Sequence, residues 1–319
     1  MAEKIIIDTD PGIDDAMAIH LAFADPAVEV LGLTTIFGNV FVEQATRNAL
    51  FLTEQAAYDC FVAEGCQIPL VQPQNPPSHH VHGPEGFGNL PASQPKTAKD
   101  ARPAHIAISE TCRAHPGEVV LCPVGPLTNI AALLDYDPEI VQFVKKLVIM
   151  GGSAYFGGNV TAHAEANIWN DPHAADKVFA ADWEIEMIGL DVTSHIKCDL
   201  QDFSNLAQAS PKIGTFLEET VGFYIDFYET VVGERVCLMH DPAAVLSITR
   251  SDLFDYEDVP IEVICEGEEV GRTLPVPSSK RRPVKVAVKV KTDDVRTAYL
   301  GLSARADQQA ALRRAQKES

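Results

Sequence analysis

Short runs rich in Ile, Val and Leu alternate with longer amphipathic stretches along this chain, and that alternation restricts its fold more than any other feature. Apolar runs of about four to eight residues have the length of buried strands, and the stretches between them have the period of helices. Strands alternating with helices place a parallel sheet between helical layers. Residues 4–8 (KIIID) read as the first strand and 13–24 as its helix, then 28–35 (VEVLGLTT) as the second strand and 42–57 as its helix. Runs at 118–121, 147–150 and 186–190 supply further strands, with helices expected near 103–114, 127–134, 173–181 and 212–230. The expected fold class is α/β, an open, mostly parallel central sheet flanked by helices. No internal repeat or boundary divides it, so 1–319 reads as a single domain. Ligands of such sheets bind beyond the carboxyl ends of the strands, and each of these strands ends in, or within three residues of, Gly, Asp or Pro.

Two stretches, 72–103 and 151–171, lack either period, and long loops in a compact domain are usually functional or mobile. Residues 283–291 (PVKVAVKVK) alternate apolar and polar and read as a half-exposed strand, at a solvated edge with a helix beyond it. Residues 265–319 hold 12 Lys/Arg and 7 Asp/Glu, net +5, which leaves −25 for residues 1–264 out of the total of −20. So acidic a body repels polyanions and anionic lipid, and neither a nucleic-acid polymer nor a membrane is expected as a partner. The seven Cys are scattered and form no C-x-x-C pair, which argues against a disulfide framework or zinc ribbon and fits a reducing cytosol. No apolar run reaches the roughly 18 residues of a membrane span, and no signal-length segment precedes KIIID. The expected location is cytoplasmic.

The chemistry concentrates where the first strand ends. Asp8, Asp10, Asp14 and Asp15 fall within eight residues, in DTDPGIDDA. Carboxylates in the first turn of a helix interact well with its dipole, and Asp10-Pro11-Gly12 has turn chemistry, so one Asp here would need no ligand. Four are different, because like charges at ~4 Å repel by about 1 kcal/mol in water and about 4 kcal/mol at an effective dielectric of 20. Packed at a ligand-facing strand end, they point to a bound cation. All-oxygen donors select a hard ion, calcium or magnesium, over zinc.

The segment DTDPGIDDAMA closely resembles the N-terminal signature of the inosine-uridine-preferring nucleoside hydrolase family, with Met17 where that signature more often has Val or Ile. The resemblance continues in order through Thr34-Thr35-Ile36-Phe37-Gly38-Asn39-Val40, His82-Gly83 and Pro123-Val124-Gly125-Pro126-Leu127-Thr128-Asn129. It resumes at Met150-Gly151-Gly152, Gly158-Asn159-Val160, Ala164-Glu165-Ala166-Asn167 and His240-Asp241-Pro242. It implies a nucleoside hydrolase fold with a Rossmann-like core, and hydrolysis of the N-glycosidic bond of purine or pyrimidine ribonucleosides in nucleoside salvage or catabolism. It also implies a homodimer or homotetramer.

The resemblance further implies a calcium ion (Ca2+) held by Asp10, Asp15, Asp241 and the backbone carbonyl of Val124, completed by water and the ribose 2′- and 3′-hydroxyls. That count suits calcium's six to eight oxygens. Relatives often carry Thr at the Val124 position, but a carbonyl ligand does not depend on the side chain. Asp10 would take the proton of the attacking water, and Asp14, Asn159, Glu165, Asn167 and the Met150 carbonyl would grip the ribose. Asn39 and His82 would contact substrate. His240 would protonate the leaving base, since His gives a proton near neutral pH without large tuning. Simpler roles stand beside these: Asp241 as a helix N-cap before Pro242, Asn159 as a turn residue, and His82, with His79 and His80, as cover for the pocket. Phe37, Phe156 and Trp169 could stack on a base, although such rings are more often core. Base preference would lie in the 72–90 loop and the 220–240 region.

Two other readings compete. A magnesium-dependent phosphohydrolase of the haloacid dehalogenase type would use Asp8-Thr9-Asp10 as nucleophile and acid, but it expects Thr or Val at Gly12, a later strand-end Lys and an acidic pair near a Gly, none convincingly placed. A nucleoside-binding protein without turnover would have lost Asp10 or His240, and both are present.

Overall fold

Ile5, Ile6 and Ile7 are each covered, Ile5 and Ile7 by the apolar cluster on one face of the sheet and Ile6 by the cluster on the other. A strand buried on both faces reads as a continuous apolar run because it lies inside a parallel sheet with helices on either side. The computed structural model describes residues 2–318. Its strands are β1 (Glu3–Thr9), β2 (Val28–Thr35), β3 (Phe61–Glu64), β4 (Val119–Pro123), β5 (Val144–Met150), β6 (Ile185–Ile188), β7 (Lys197–Asp199), β8 (Val236–Leu238), β9 (Phe254–Val259), β10 (Ile261–Val263), β11 (Thr273–Pro275) and β12 (Val284–Val290). The helices are α1 (Ile13–Ala24), α2 (Val42–Gln55), α3 (His79–His82), α4 (Ala104–Ala114), α5 (Thr128–Tyr136), α6 (Ala166–Asn170), α7 (Pro172–Ala180), α8 (Leu190–Thr193), α9 (Leu200–Ala209), α10 (Ile213–Val232), α11 (His240–Thr249), α12 (Thr292–Ser303) and α13 (Ala306–Glu318).

Among the described residues the main sheet has eight strands in the order β3-β2-β1-β4-β5-β6-β12-β9. Every neighbouring pair is parallel except β12 with β9. The chain runs outward from β1 through β2 to β3, then returns to place β4 on the other side of β1. That reversal opens a crevice beyond the carboxyl ends of β1 and β4, where open sheets bind ligands. The expected α/β architecture stands, and the first four elements fall within two residues of their expected bounds. Among the described residues, no helix is long and apolar enough to cross a membrane.

One expectation fails. The 283–291 strand is not the sheet edge: β12 lies between β6 and β9, and β9 is outermost. Lys285 stands opposite Asp258 and Lys289 opposite Asp255, so the lysines that resemble a solvated edge lie in register with an acidic strand. The acidic β9 is the edge that needs charge to discourage further pairing. The aperiodic 72–103 and 151–171 stretches are loops interrupted by the short helices α3 and α6.

Candidate active site

The end of β1 and the first turns of α1 and α11 meet at the crevice, because α1 packs against α11. Asp8, Asp10, Asp14, Asp15 and Asp241 are all buried there. Two helix N-termini bring the positive ends of their dipoles to the same place, which favours carboxylates. Asp15 is the most fully bonded: Oδ1 accepts from Thr9 Oγ1 at 2.5 Å and the Asp10 amide at 3.3 Å, and Oδ2 accepts from the Gly12 amide at 2.9 Å and Asn39 Nδ2 at 3.0 Å. Asp10 Oδ2 accepts from the Asn39 amide at 2.6 Å. Asn39 thus holds two of the predicted ligands at once and also lines the cavity above them. Behind this layer, Asp8 Oδ1 accepts from Thr34 Oγ1 at 2.5 Å and Asn129 Nδ2 at 2.8 Å.

Burial raises every one of these carboxyl groups. Asp8 reaches about 7, while Asp14 and Asp15 reach about 6. Asp10 and Asp241 are pushed well above the usual carboxylate range, first by burial and then by neighbouring carboxylates. Asp10 Oδ1 and Asp14 Oδ1 are buried without a hydrogen-bond partner, and such atoms are costly unless something compensates them. Gly38 and Gly125 clear the space around Asp10, for a Cβ on either would lie 2.1 or 2.6 Å from its carboxylate oxygens. Asp14, Asp15 and Asp241 each place a carboxylate oxygen within 4.8 Å of the others. The site can hold a metal ion, and its all-oxygen donor set fits a hard one. The geometric trio includes Asp14, which the family resemblance assigned to the ribose. The Val124 carbonyl already accepts from Asn167 Nδ2 at 2.9 Å.

Above the carboxylates lies a cavity of about 410 Å³. Of the predicted site residues, Asp14, Asn39, His82, Val124, Met150, Asn159, Glu165, Asn167, His240 and Asp241 line it, and Asp10 and Asp15 lie beneath its floor. His82 Nδ1 accepts from the Ile13 amide at 3.2 Å, so its proton is on Nε2. Although Nδ1 stands 3.8 Å from Asp14 Oδ1, burial pushes this imidazole down to about 4, and the neutral ring forms no ion pair.

His240 is held at both nitrogens, Nδ1 at 2.8 Å from Thr193 Oγ1 and Nε2 at 2.7 Å from the Tyr228 hydroxyl. Tyr228 lies 3.4 Å from the Tyr224 hydroxyl, which donates to Asp14 Oδ2 at 3.1 Å. A phenol has one proton. With the Tyr224 proton given to Asp14, Tyr228 donates to Tyr224 and accepts from His240 Nε2–H, and His240 Nδ1 accepts from Thr193. This donor count assigns the neutral tautomer with its proton on the cavity side. Burial pushes His240 down to about 4. Among the described residues no carboxylate contacts the ring to keep it charged, and at neutral pH it offers a neutral N–H.

Residues 5–297 match the family described as inosine-uridine preferring nucleoside hydrolase. The chain belongs to that family. Over 273 residues, 85% of this chain and 81% of the relative, it is 41% identical to uridine nucleosidase 1 of Arabidopsis thaliana. It is 37% identical to the inosine-uridine preferring nucleoside hydrolase of Leishmania major, over 92% of this chain and 95% of that one. A solved purine-preferring ribonucleoside hydrolase from Gardnerella vaginalis superposes with a TM-score of 0.92 at 32% identity, covering 96% of this chain and 99% of that one. This nucleoside hydrolase is therefore an N-glycosyl hydrolase of ribonucleosides, and the phosphohydrolase reading of Asp8-Thr9-Asp10 has no support left.

In the hydrolase, Glu165 caps α6: Oε1 accepts from the Asn167 amide at 2.9 Å, and Oε2 from the Gly152 and Ile168 amides at 2.8 and 3.2 Å. Asn159 Oδ1 accepts from the Ala166 amide at 3.0 Å, a turn role that leaves its side chain at the cavity rim. Asn167 Nδ2 also donates to the Met150 carbonyl at 3.1 Å. Phe37 is buried in the core, and Phe156 is exposed with its edge on His195, so neither reaches the cavity; Trp169 lines it. Sequence reasoning missed Tyr224, Tyr228 and Thr193. The tyrosines had a signal in their i, i+4 spacing on the buried side of one helix, where each hydroxyl needs a partner.

Proposed function

We propose that the hydrolase cleaves both inosine and uridine to free base and ribose, with calcium as its ion, in nucleoside salvage or catabolism. The observation that carries this reading is two unpartnered buried oxygens, Asp14 Oδ1 on a residue that lines a cavity with room for one nucleoside and Asp10 Oδ1 beneath its floor. Asp10, Asp15, Asp241 and the Val124 carbonyl would hold the ion, with Asp14 beside them. When bound, the ion offsets the repulsion among the carboxylates and lowers the pKa of water at the site. Asp10 accepts a proton from the attacking water as it adds to the anomeric carbon and the N-glycosidic bond breaks. Asp14, Asn167 and the Met150 carbonyl orient the ribose hydroxyls, Glu165 and Asn159 hold the loop beside them, and such orientation can contribute ~7 kcal/mol or more. His82 and Asn39 close the sugar side. His240 presents Nε2–H toward the leaving base, and the Tyr228 hydroxyl accepts from that same N–H until the base arrives.

The names of the relatives support both base classes, and the 72–90 and 220–240 segments that line the cavity carry the preference. We read 1–319 as one domain, since the main sheet draws strands from Glu3 to Val290 and α13 packs on α1. The family resemblance supports a cytoplasmic homodimer or homotetramer. A steady-state panel of inosine, adenosine, guanosine, uridine and cytidine, read as free ribose, tests the reading. Ribose release from inosine and uridine is expected, and binding without ribose release would instead indicate a nucleoside-binding protein.

A further inference from the structure

The single turn α8 follows β6 and takes no part in lining the cavity, yet two of its four residues reach into the architecture of the site. Thr193 is fully buried, and its hydroxyl is the partner of His240 Nδ1. Asp191 is also buried, with Oδ2 accepting from the Ala154 amide at 2.8 Å and Oδ1 from the Tyr155 amide at 2.7 Å. These amides belong to the loop that leads to Asn159. The same loop is tied to α8 once more, by the Leu190 amide donating to the Gly152 carbonyl at 2.9 Å, and Phe156 meets the ring of His195, just beyond α8, edge-on at 5.3 Å. On the other side, the Met239 amide donates to the Ile196 carbonyl at 3.0 Å, fixing the approach to His240 from just beyond α8.

We infer that α8 is a positioning turn for the reaction: Thr193 aims the His240 ring into the cavity, and Asp191 holds the loop whose Asn159 braces the Glu165–Asn167 segment beside the sugar. The inference rests on the reading of His240 as the donor to the leaving base. Donating to Nδ1, the Thr193 hydroxyl leaves the ring proton on Nε2 and prevents the ring from flipping to present an unprotonated nitrogen. A valine at 193 has the same shape but cannot make that bond, so His240 loses its orientation while the cavity walls stay in place. A carboxylate at 191 can accept two backbone N–H groups, whereas an amide accepts with one oxygen and opposes the other N–H with its own NH2. Loss at Thr193 therefore falls on leaving-group departure, and loss at Asp191 on sugar binding.

The test is steady-state kinetics of the full-length enzyme with inosine and with p-nitrophenyl riboside, whose phenolate leaves readily without a proton. Thr193→Val should lower kcat for inosine by about 10-fold to 100-fold, part of the ~10² to 10³ that one hydrogen-bond donor aimed at developing charge supplies. Its KM should stay within about twofold and its rate on p-nitrophenyl riboside within about threefold, and Thr193→Ser should recover most of the loss. Asp191→Asn should raise KM for both substrates with little change in kcat. The inference is overturned if His240→Ala slows inosine while Thr193→Val does not, or if Thr193→Val slows both substrates equally and Thr193→Ser fails to rescue. If His240→Ala leaves the inosine rate unchanged, the reading of His240 as donor fails first. Should the valine variant not fold, Thr193→Ala is read against Thr193→Ser by the same criteria.

Discussion

Stripping the ion from the acidic cluster should make stability fall as pH rises, the reverse of ordinary acid denaturation. Asp14 and Asp15 stand at about 6 in the fold against 3.8 when unperturbed, so ionising each costs on the order of 3 kcal/mol at 1.36 kcal/mol per unit. Their folded values lie above the unfolded ones, so the folded chain holds these protons longer. The destabilisation is absent below about 4, develops between about 4 and 6, and is complete above that. A bound cation removes it, because the ion replaces the protons as counter-charge. Calcium at 100 times its dissociation constant would add about 2.7 kcal/mol. At roughly 2.1 cal/mol/K per residue of unfolding entropy, that corresponds to a few degrees in Tm for a chain of this size. Calorimetry at pH 5 and pH 8, with chelator and then with excess calcium, reads all four states. The chelated protein should melt lower at pH 8 than at pH 5, and calcium should raise Tm much more at pH 8. Equal calcium shifts at the two pH values, or none, would refute the argument.

Two further predictions concern the sugar and the core. If ribose hydroxyls satisfy the free oxygens of the cluster, 2′-deoxyinosine leaves buried groups unpaired, and kcat/KM should drop ~10³-fold or more relative to inosine; comparable rates would show that the grip is misassigned. His20, packed between Phe23 and Phe216 with Nε2 at 2.8 Å from Gln55 Oε1, is pushed by burial from 6.5 to about 4. The unfolded chain takes up that proton first, so wild-type stability should fall by about 3 kcal/mol relative to His20→Gln as pH drops from about 6.5 to 4, measured by urea denaturation; a pH-independent gap would mean His20 titrates normally in the fold.

The parts of the molecule that are legible in the chain are those whose physics is local. The apolar run 4–8, the helix after Gly12 and the strand-end Asp residues need no distant partner to be recognised, and they place the crevice. The three-residue strands β7, β8, β10 and β11 carry too few residues to show a period. The inner place of β12 is hidden in the sequence because the alternation of Lys with Val does not reveal the acidic β9 beyond it. In the site, residue type was readable but pairing was not. The types at Glu165 and His240 suggest contacts with ribose and base, but not that the Glu165 oxygens also cap α6 or that burial and two hydroxyls hold His240. Thr193 follows a strand end, where the search for ligands belongs, but a threonine in Leu-Asp-Val-Thr has no signature without the imidazole 47 positions away.

The central claim is that the buried cluster under the cavity activates water for ribonucleoside hydrolysis, and Asp10→Asn tests it most directly. The substitution keeps the shape of a side chain that already fits between Gly38 and Gly125, removing the base and one charge. Measured as ribose release with calcium present, the folded variant should lose at least ~10³ in kcat, combining one general base with weakened hold on the ion. The loss should be of similar size for inosine and p-nitrophenyl riboside, because water activation does not depend on the leaving group. A folded Asp10→Asn enzyme retaining a tenth or more of wild-type kcat on either substrate would contradict the account.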